Sequence, residues 1–195
     1  AGALPCEIIT SSALKFGGVQ INLMYYLVHF QSNGGNQLSR SEMTLLMDDK
    51  LGILPDVKRK GYVFTGWYTQ KENGKRVEES TVLNASMTLY AHWTQVAKPG
   101  QVTKLSLKNQ GDGQVMVRFQ SADRVQGYEI LCSTNKKFTA KASRKKLIHP
   151  ASDIEKTVVR LKKNKTGYVK VRAYRTDSTG SKIYGKYSAV KKIKV

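Results

Sequence analysis

The side chains with the most chemical reach in this sequence are cations at alternating positions. Lys170 and Arg172 lie two apart in a stretch, 168–175, where apolar and polar residues alternate, which places both on the outward face of one strand. Lys192 and Lys194 repeat that spacing and join the same face if the last strand keeps its register past Ser188. Lys162, Lys163 and Lys165 crowd the turn before the first pair, and Arg144, Lys145 and Lys146 form a second cluster. A stripe of this kind holds polyanions by releasing their counterions, with little reading of ligand sequence. The candidate partners are anionic cell-wall polymers such as teichoic acids, and host glycans such as glycosaminoglycans. Without a base-reading motif, no specific nucleic acid is expected. The competing reading is a solvated lysine surface that keeps sheet edges from pairing.

Residues for catalysis do not assemble. His29, His92 and His149 are isolated, and neither His-x-x-x-His nor Cys-x-x-Cys spacing offers a metal site. Asp48-Asp49 reads as a turn and Glu78-Glu79 as a solvated stretch, so no carboxylate pair stands out. Cys132 falls on an inward strand position, where a thiol is inert, and two cysteines are not a disulfide scaffold. Gly180-Ser-Lys-Ile-Tyr-Gly-Lys-Tyr187 has the spacing of a phosphate loop. It ends in Tyr where Ser or Thr must ligate Mg²⁺, and its context is strand–turn–strand where that loop opens a helix. The expectation is a non-enzymatic chain with no metal and no cofactor. Aromatic rings offer one further chemistry, since exposed rings stack on sugars. Tyr68 and Tyr90 are the rings placed for such a glycan contact, the remainder being needed inside a small core.

The charge is unevenly placed. The 195 residues carry a net +19, yet residues 1–97 hold 9 Lys/Arg against 8 Asp/Glu while residues 98–195 hold 24 against 6. Attraction to anions therefore belongs to the second half. No apolar run reaches the ~18–20 residues of a membrane span. Residues 21–30 come nearest, but contain Asn22 and His29. With neither an initiator Met nor a signal-peptide pattern, the sequence reads as part of a longer protein, monomeric as a fragment.

Elements must position these residues. Residues 1–24 show no lasting period and read as a flexible lead-in or the remnant of a preceding segment. From residue 25 the pattern is that of short strands: 25–30, ending in the tight turn Ser32-Asn-Gly-Gly35, then 43–47, 61–68 and 88–93, with an extended piece at 77–82. Tyr62, Phe64, Leu89, Ala91 and Trp93 share one face, with Trp67 and Tyr68 at its edge. Residues 96–100, with Pro99, form a short linker that restricts orientation. Beyond it strands recur about every ten residues, at 102–107, 114–120, 127–133, 156–161, 168–175 and 183–195, the mark of an antiparallel sandwich. Val115, Val117 and Phe119 share a face, as do Tyr128, Ile130 and Cys132, and Val169, Val171 and Ala173.

Four landmarks in order, Asn33-Gly-Gly35, Leu51-Gly-x-Leu-Pro55, Gly61-Tyr-x-Phe-x-Gly-Trp-Tyr68 and Thr88-Leu-Tyr-Ala-x-Trp93, resemble the Listeria–Bacteroides repeat, or internalin-type B repeat, over residues 25–95. The resemblance implies a small β-grasp-like module of bacterial secreted and surface proteins, often in tandem, with no catalytic residues to carry over. Gly127-Tyr-Glu-Ile130, Val171-Arg-Ala-Tyr174 and Tyr184-Gly-Lys-Tyr-Ser188 resemble a bacterial fibronectin type III domain over about residues 98–195, the domain itself starting at 101. Two departures stand out. Phe119 occupies the place of the family's B-strand tryptophan, and Gly167 the place of its corner tyrosine, which implies a looser turn there.

The combined expectation is a mainly β chain, a β-grasp-like repeat followed by a fibronectin type III β-sandwich. It would be a non-catalytic spacer or adhesion segment of a bacterial secreted or cell wall-associated protein. The alternative is an accessory region of a larger secreted enzyme that cleaves glycans or peptides.

Overall fold

The computed structural model describes residues 9–16, 19–149 and 156–195, with side chains from residue 24 onward. The chain is mainly β, and among the described residues the only helical piece is a 3-10 turn at Ala140–Ala142. It divides into two compact units, Ala1–Gln95 and Val96–Val195.

The first unit is a mixed sheet of β1 (Ile9–Phe16), β2 (Val19–Gln31), β3 (Glu42–Leu46), β4 (Tyr62–Tyr68), β5 (Arg76–Val77) and β6 (Met87–Gln95). Its order is β1-β2-β6-β4-β5, with β3 also paired to β2. Its centre is a parallel pair, β2 with β6, and every other pairing is antiparallel. Residues 9–16 and 19–24, within the stretch read from sequence as a flexible lead-in or the remnant of a preceding segment, form β1 and the first half of β2. Val19-Gln-Ile-Asn-Leu23 alternates apolar and polar residues, and that period of two carries the strand back past residue 25. Residues 1–8, Cys6 included, lie outside the described residues.

The core gathers Val28, Phe30, Leu45, Trp67, Val77, Leu89 and Ala91 from strands, with Leu51, Val57 and Leu83 from the connections. Strict alternation from Tyr62 and Phe64 would turn Trp67 outward. Instead Phe64 faces Trp93 and Gly66 faces His92, so Thr65 is the extra residue of a β-bulge. The bulge reverses the parity of the strand. Trp67 then points inward opposite Ala91, at 1% exposure, while Tyr68 pairs with Tyr90 on the other face. Gly66 has φ +136°, and the Arg76 side chain occupies the space a Cβ would take, with Nε 2.7 Å away. Trp67 is thus central, not at the edge as alternation suggested. Its ring meets Phe30 and Phe64 edge-on at 5.0 and 5.7 Å, and Nε1 donates to the Pro55 carbonyl at 3.2 Å. Trp93 is only partly buried, anchored by Nε1 to the Ser32 carbonyl at 3.0 Å.

The second unit is two antiparallel sheets. One has the order β11 (Lys156–Arg160), β8 (Gln114–Gln120), β7 (Thr103–Gly111). The other runs β10 (Ser143–Ile148), β9 (Gly127–Ser133), β12 (Thr166–Thr176), β13 (Lys182–Tyr184), and β14 (Lys191–Lys194) also pairs with β12. The three alternating triplets read from sequence all point into the shared core, joined by Val102, Leu105 and Val159. Phe119 fills its position by packing on Tyr128, with ring centroids 4.7 Å apart.

Three details differ from the sequence reading. Residues 143–148, seen there as a basic cluster, are a strand. The strand expected over 183–195 is broken into β13 and β14, and between them Ser188 holds the ladder. Its N–H donates to the Val171 carbonyl at 2.7 Å and its Oγ accepts from the Val171 N–H at 3.0 Å. At Gly167, where the sequence implied a looser turn, the Leu161 side chain occupies the space that a Cβ would take.

These placements rank the two tryptophans. Trp67→Ala should cost about 3–5 kcal/mol, a large part of the ~5–15 kcal/mol that holds a domain, and abolish cooperative unfolding of the first unit. Trp93→Ala should cost clearly less. Urea denaturation followed by near-UV circular dichroism checks the order, and equal losses would contradict the central position of Trp67.

Candidate polyanion interface

The outer face of the β10-β9-β12 sheet carries a buried charge. Glu129 on β9 has outward parity, yet its side chain is fully shielded from solvent. Arg172, its cross-strand partner on β12, donates to Oε1 from Nε at 2.8 Å, with Nη2 at 2.7 Å. Tyr187 OH donates to the same oxygen at 2.6 Å, and Lys145 Nζ on β10 stands 3.0 Å from Oε2. Burial alone would raise the carboxyl's pKa. The hydrogen bonds from Tyr187, Lys145 and Arg172, with the charge of Arg172, outweigh it and hold the pKa below the ordinary value. Burial, joined by the same contact, pushes the Tyr187 hydroxyl up to about 12, so it remains a donor.

This cluster engages the residues first proposed as the ligand stripe. Arg172 lies between the rings of Tyr184 and Tyr187, 3.7 and 4.5 Å from their centroids. Lys170 Nζ sits over Tyr187 at 4.2 Å and Phe138 at 4.3 Å. Both cations are half-buried and serve the sheet. Lys192 and Lys194 do lie on the same outward face, opposite Tyr168 and Thr166, and both are exposed. Lys163 is elsewhere, paired with Asp112 at 2.7 Å, and Lys162 lines a cleft at the edge of the sandwich. The six cations therefore do not form one stripe. Sequence reasoning missed Glu129, Tyr184 and Tyr187; the available signal was a lone acid on the outward parity of a strand in an otherwise basic unit.

In the first unit the bulge places Tyr68 and Tyr90 side by side, both half-exposed. One face of Tyr68 is covered by His92, stacked at 3.9 Å and 9°, while His92 Nε2 lies 2.9 Å from the Gln70 carbonyl. The other histidines are also engaged, His29 with Glu42 at 3.1 Å and His149 with Tyr174 OH at 2.8 Å. Cys132 is a buried free thiol whose pKa burial pushes up to about 11, against a lowering by Lys146. No helix among the described residues is long and apolar enough to cross a membrane.

Fold and surface together describe a small mixed sheet and an antiparallel sandwich with a basic exterior. Residues 26–92, within the first unit, match the sequence model of the Listeria-Bacteroides repeat domain, a repeat that occurs in bacterial surface proteins. No curated protein sequence matches the chain. Among solved structures it is similar to the FN1-FN3 domains of chicken CNTN1, at 11% identity and TM-score 0.46, covering 79% of this chain and 70% of that one. It is also similar to the FN5 domain of Drosophila Lar, at 18% identity and TM-score 0.38, covering 49% and 95%. A third is a putative carbohydrate binding protein from Bacteroides uniformis, at 11% identity and TM-score 0.38, covering 88% and 98%. At such scores none carries a function over to this chain.

The Glu129 cluster makes the second unit acid-sensitive. Because the folded pKa is depressed, its contribution is complete above the ordinary value of 4.5 and is lost as pH falls through the lower folded value. Glu129→Gln should flatten that acid loss. At pH 7 it should destabilise the unit toward the lower end of ~3–5 kcal/mol, since its cationic partners keep some water. Denaturation midpoints between pH 3 and 7 test both, and a variant with wild-type pH dependence would contradict the assignment.

Proposed function

We propose that this chain is a non-catalytic spacer and adhesion segment of a bacterial secreted or cell-surface protein, and that its second unit contacts anionic wall polymers or host glycans. The observation that carries the reading is the charge of that unit, 24 Lys/Arg against 6 Asp/Glu in residues 98–195. Among the described residues Lys145, Arg172 and Lys163 are ion-paired, Lys146 is hydrogen-bonded and Lys170 lies over rings. Exposed cations such as Lys192 and Lys194 are placed to meet a polyanion, whose binding is driven by counterion release.

The first unit, nearly neutral, supplies length and presentation, as a repeat module does. We read the second as a fibronectin type III domain, because a three-stranded β11-β8-β7 sheet packs on β10-β9-β12-β13 with the inward triplets that such a sandwich needs. The non-catalytic reading is supported by the separate engagement of the three histidines and by a thiol held protonated. Tyr68 and Tyr90 remain a candidate glycan contact on the first unit.

Binding of the purified chain to heparin and to wall teichoic polymer, measured across a salt series, tests the proposal. Affinity should fall steeply with salt, and Lys192→Glu with Lys194→Glu should weaken it several-fold. Binding indifferent to both would sink the polyanion reading. Hydrolysis of glycan or peptide by the 195-residue chain would sink the non-catalytic one.

A further inference from the structure

The two sheets of the second unit approach one another along a seam between their edge strands, β10 and β11. Lys146 ties one part of the seam, its Nζ donating to Thr157 Oγ1 at 3.1 Å and to the Val158 carbonyl at 2.8 Å. Toward the start of β10 and the end of β11 the seam opens into a cleft of about 580 Å³. Lys141, Arg144, Arg160 and Lys162 line it, together with Ser143 and Cys132, and among the described residues no carboxylate does. Among the described residues none of the four cations is ion-paired.

Cations gathered without a counter-charge repel one another, and an anionic ligand relieves that repulsion. We propose that this cleft seats a phosphate or sulfate ester group carried on an anionic polymer. Arg144 and Arg160 supply forked donors for the oxyanion, and Lys141 and Lys162 add charge. The volume lies within the range of small-ligand sites, enough for a sugar or glycerol unit around the anion. This inference rests on the polyanion reading above, but assigns it a place distinct from Lys192 and Lys194 on β14. The competing role for these charges is to guard two exposed sheet edges.

The test titrates the full 195-residue chain with a heparin-derived hexasaccharide, which carries sulfate esters, and with an oligo(glycerol phosphate), which carries phosphodiesters. Amide ¹H–¹⁵N spectra locate each ligand. The largest shifts are expected at residues 132–134, 141–144 and 160–162. Arg144→Ala with Arg160→Ala, both at exposed positions, should keep the folded spectrum, lower affinity about tenfold and reduce the log K against log salt slope by about two. Lys192→Glu with Lys194→Glu should leave the cleft shifts in place. Tighter binding of the phosphate oligomer identifies a wall polymer as the source, and tighter binding of the sulfated one a host glycan; either supports the cleft. Binding that is unchanged by the arginine variants and shifts only β14 overturns the cleft and leaves the broader proposal standing. Failure of both ligands to bind at low salt overturns both.

Discussion

A single carboxylate governs how the second unit arranges its charge. An ionised group without solvent is costly unless it is both paired and hydrogen-bonded, and Glu129 meets that condition with Arg172, Lys145 and Tyr187. Those partners come from β12, from β10 and from the segment between β13 and β14, so one side chain on β9 draws three other pieces of chain onto the outer face. The break in the last edge strand belongs to the same arrangement. Ser188 keeps the ladder bonded while the chain leaves it, and Tyr187 is thereby free to cover the carboxylate.

The cluster also separates cations by role. Lys170 and Arg172 lie against aromatic rings and support the sheet, whereas Lys192 and Lys194 remain open on β14. Other unpaired cations collect at the seam between β10 and β11, where one lysine, Lys146, closes the gap with hydrogen bonds and four further cations line the opening. Edge strands in a basic domain are guarded by such charges, and the same placement makes the seam attractive to an oxyanion.

The first unit answers a different constraint. A module of this size buries a modest share of its surface and cannot leave its large rings outside. Thr65 and Gly66 solve this locally. By inserting one residue into β4, the chain turns both Phe64 and Trp67 toward the core and sends Tyr68 to join Tyr90 and His92 on the opposite face. The ring needed for packing and the rings available for contact are neighbours in sequence, separated by the change of parity.

Alternation alone determined the mainly β character of the chain, the inward triplets of the sandwich from Val115 to Ala173, the landmarks of the repeat and the concentration of charge beyond residue 98. These are local or additive properties, carried by periods of two and by composition. It did not place Trp67, because a bulge changes parity without changing composition. Nor could it tell Lys170 and Arg172 from Lys192 and Lys194, since all four satisfy the same outward pattern. Which cation is neutralised depends on a carboxylate some forty residues away that pairing of β9 with β12 brings opposite. The seam cleft is still less legible, for its cations come from β10 and β11, edge strands of two different sheets, and from the segments beside them. Sequence sets which face a side chain takes; only the folded chain sets what that face meets, because registers, bulges and edge-to-edge approaches are decided by contacts distant in sequence.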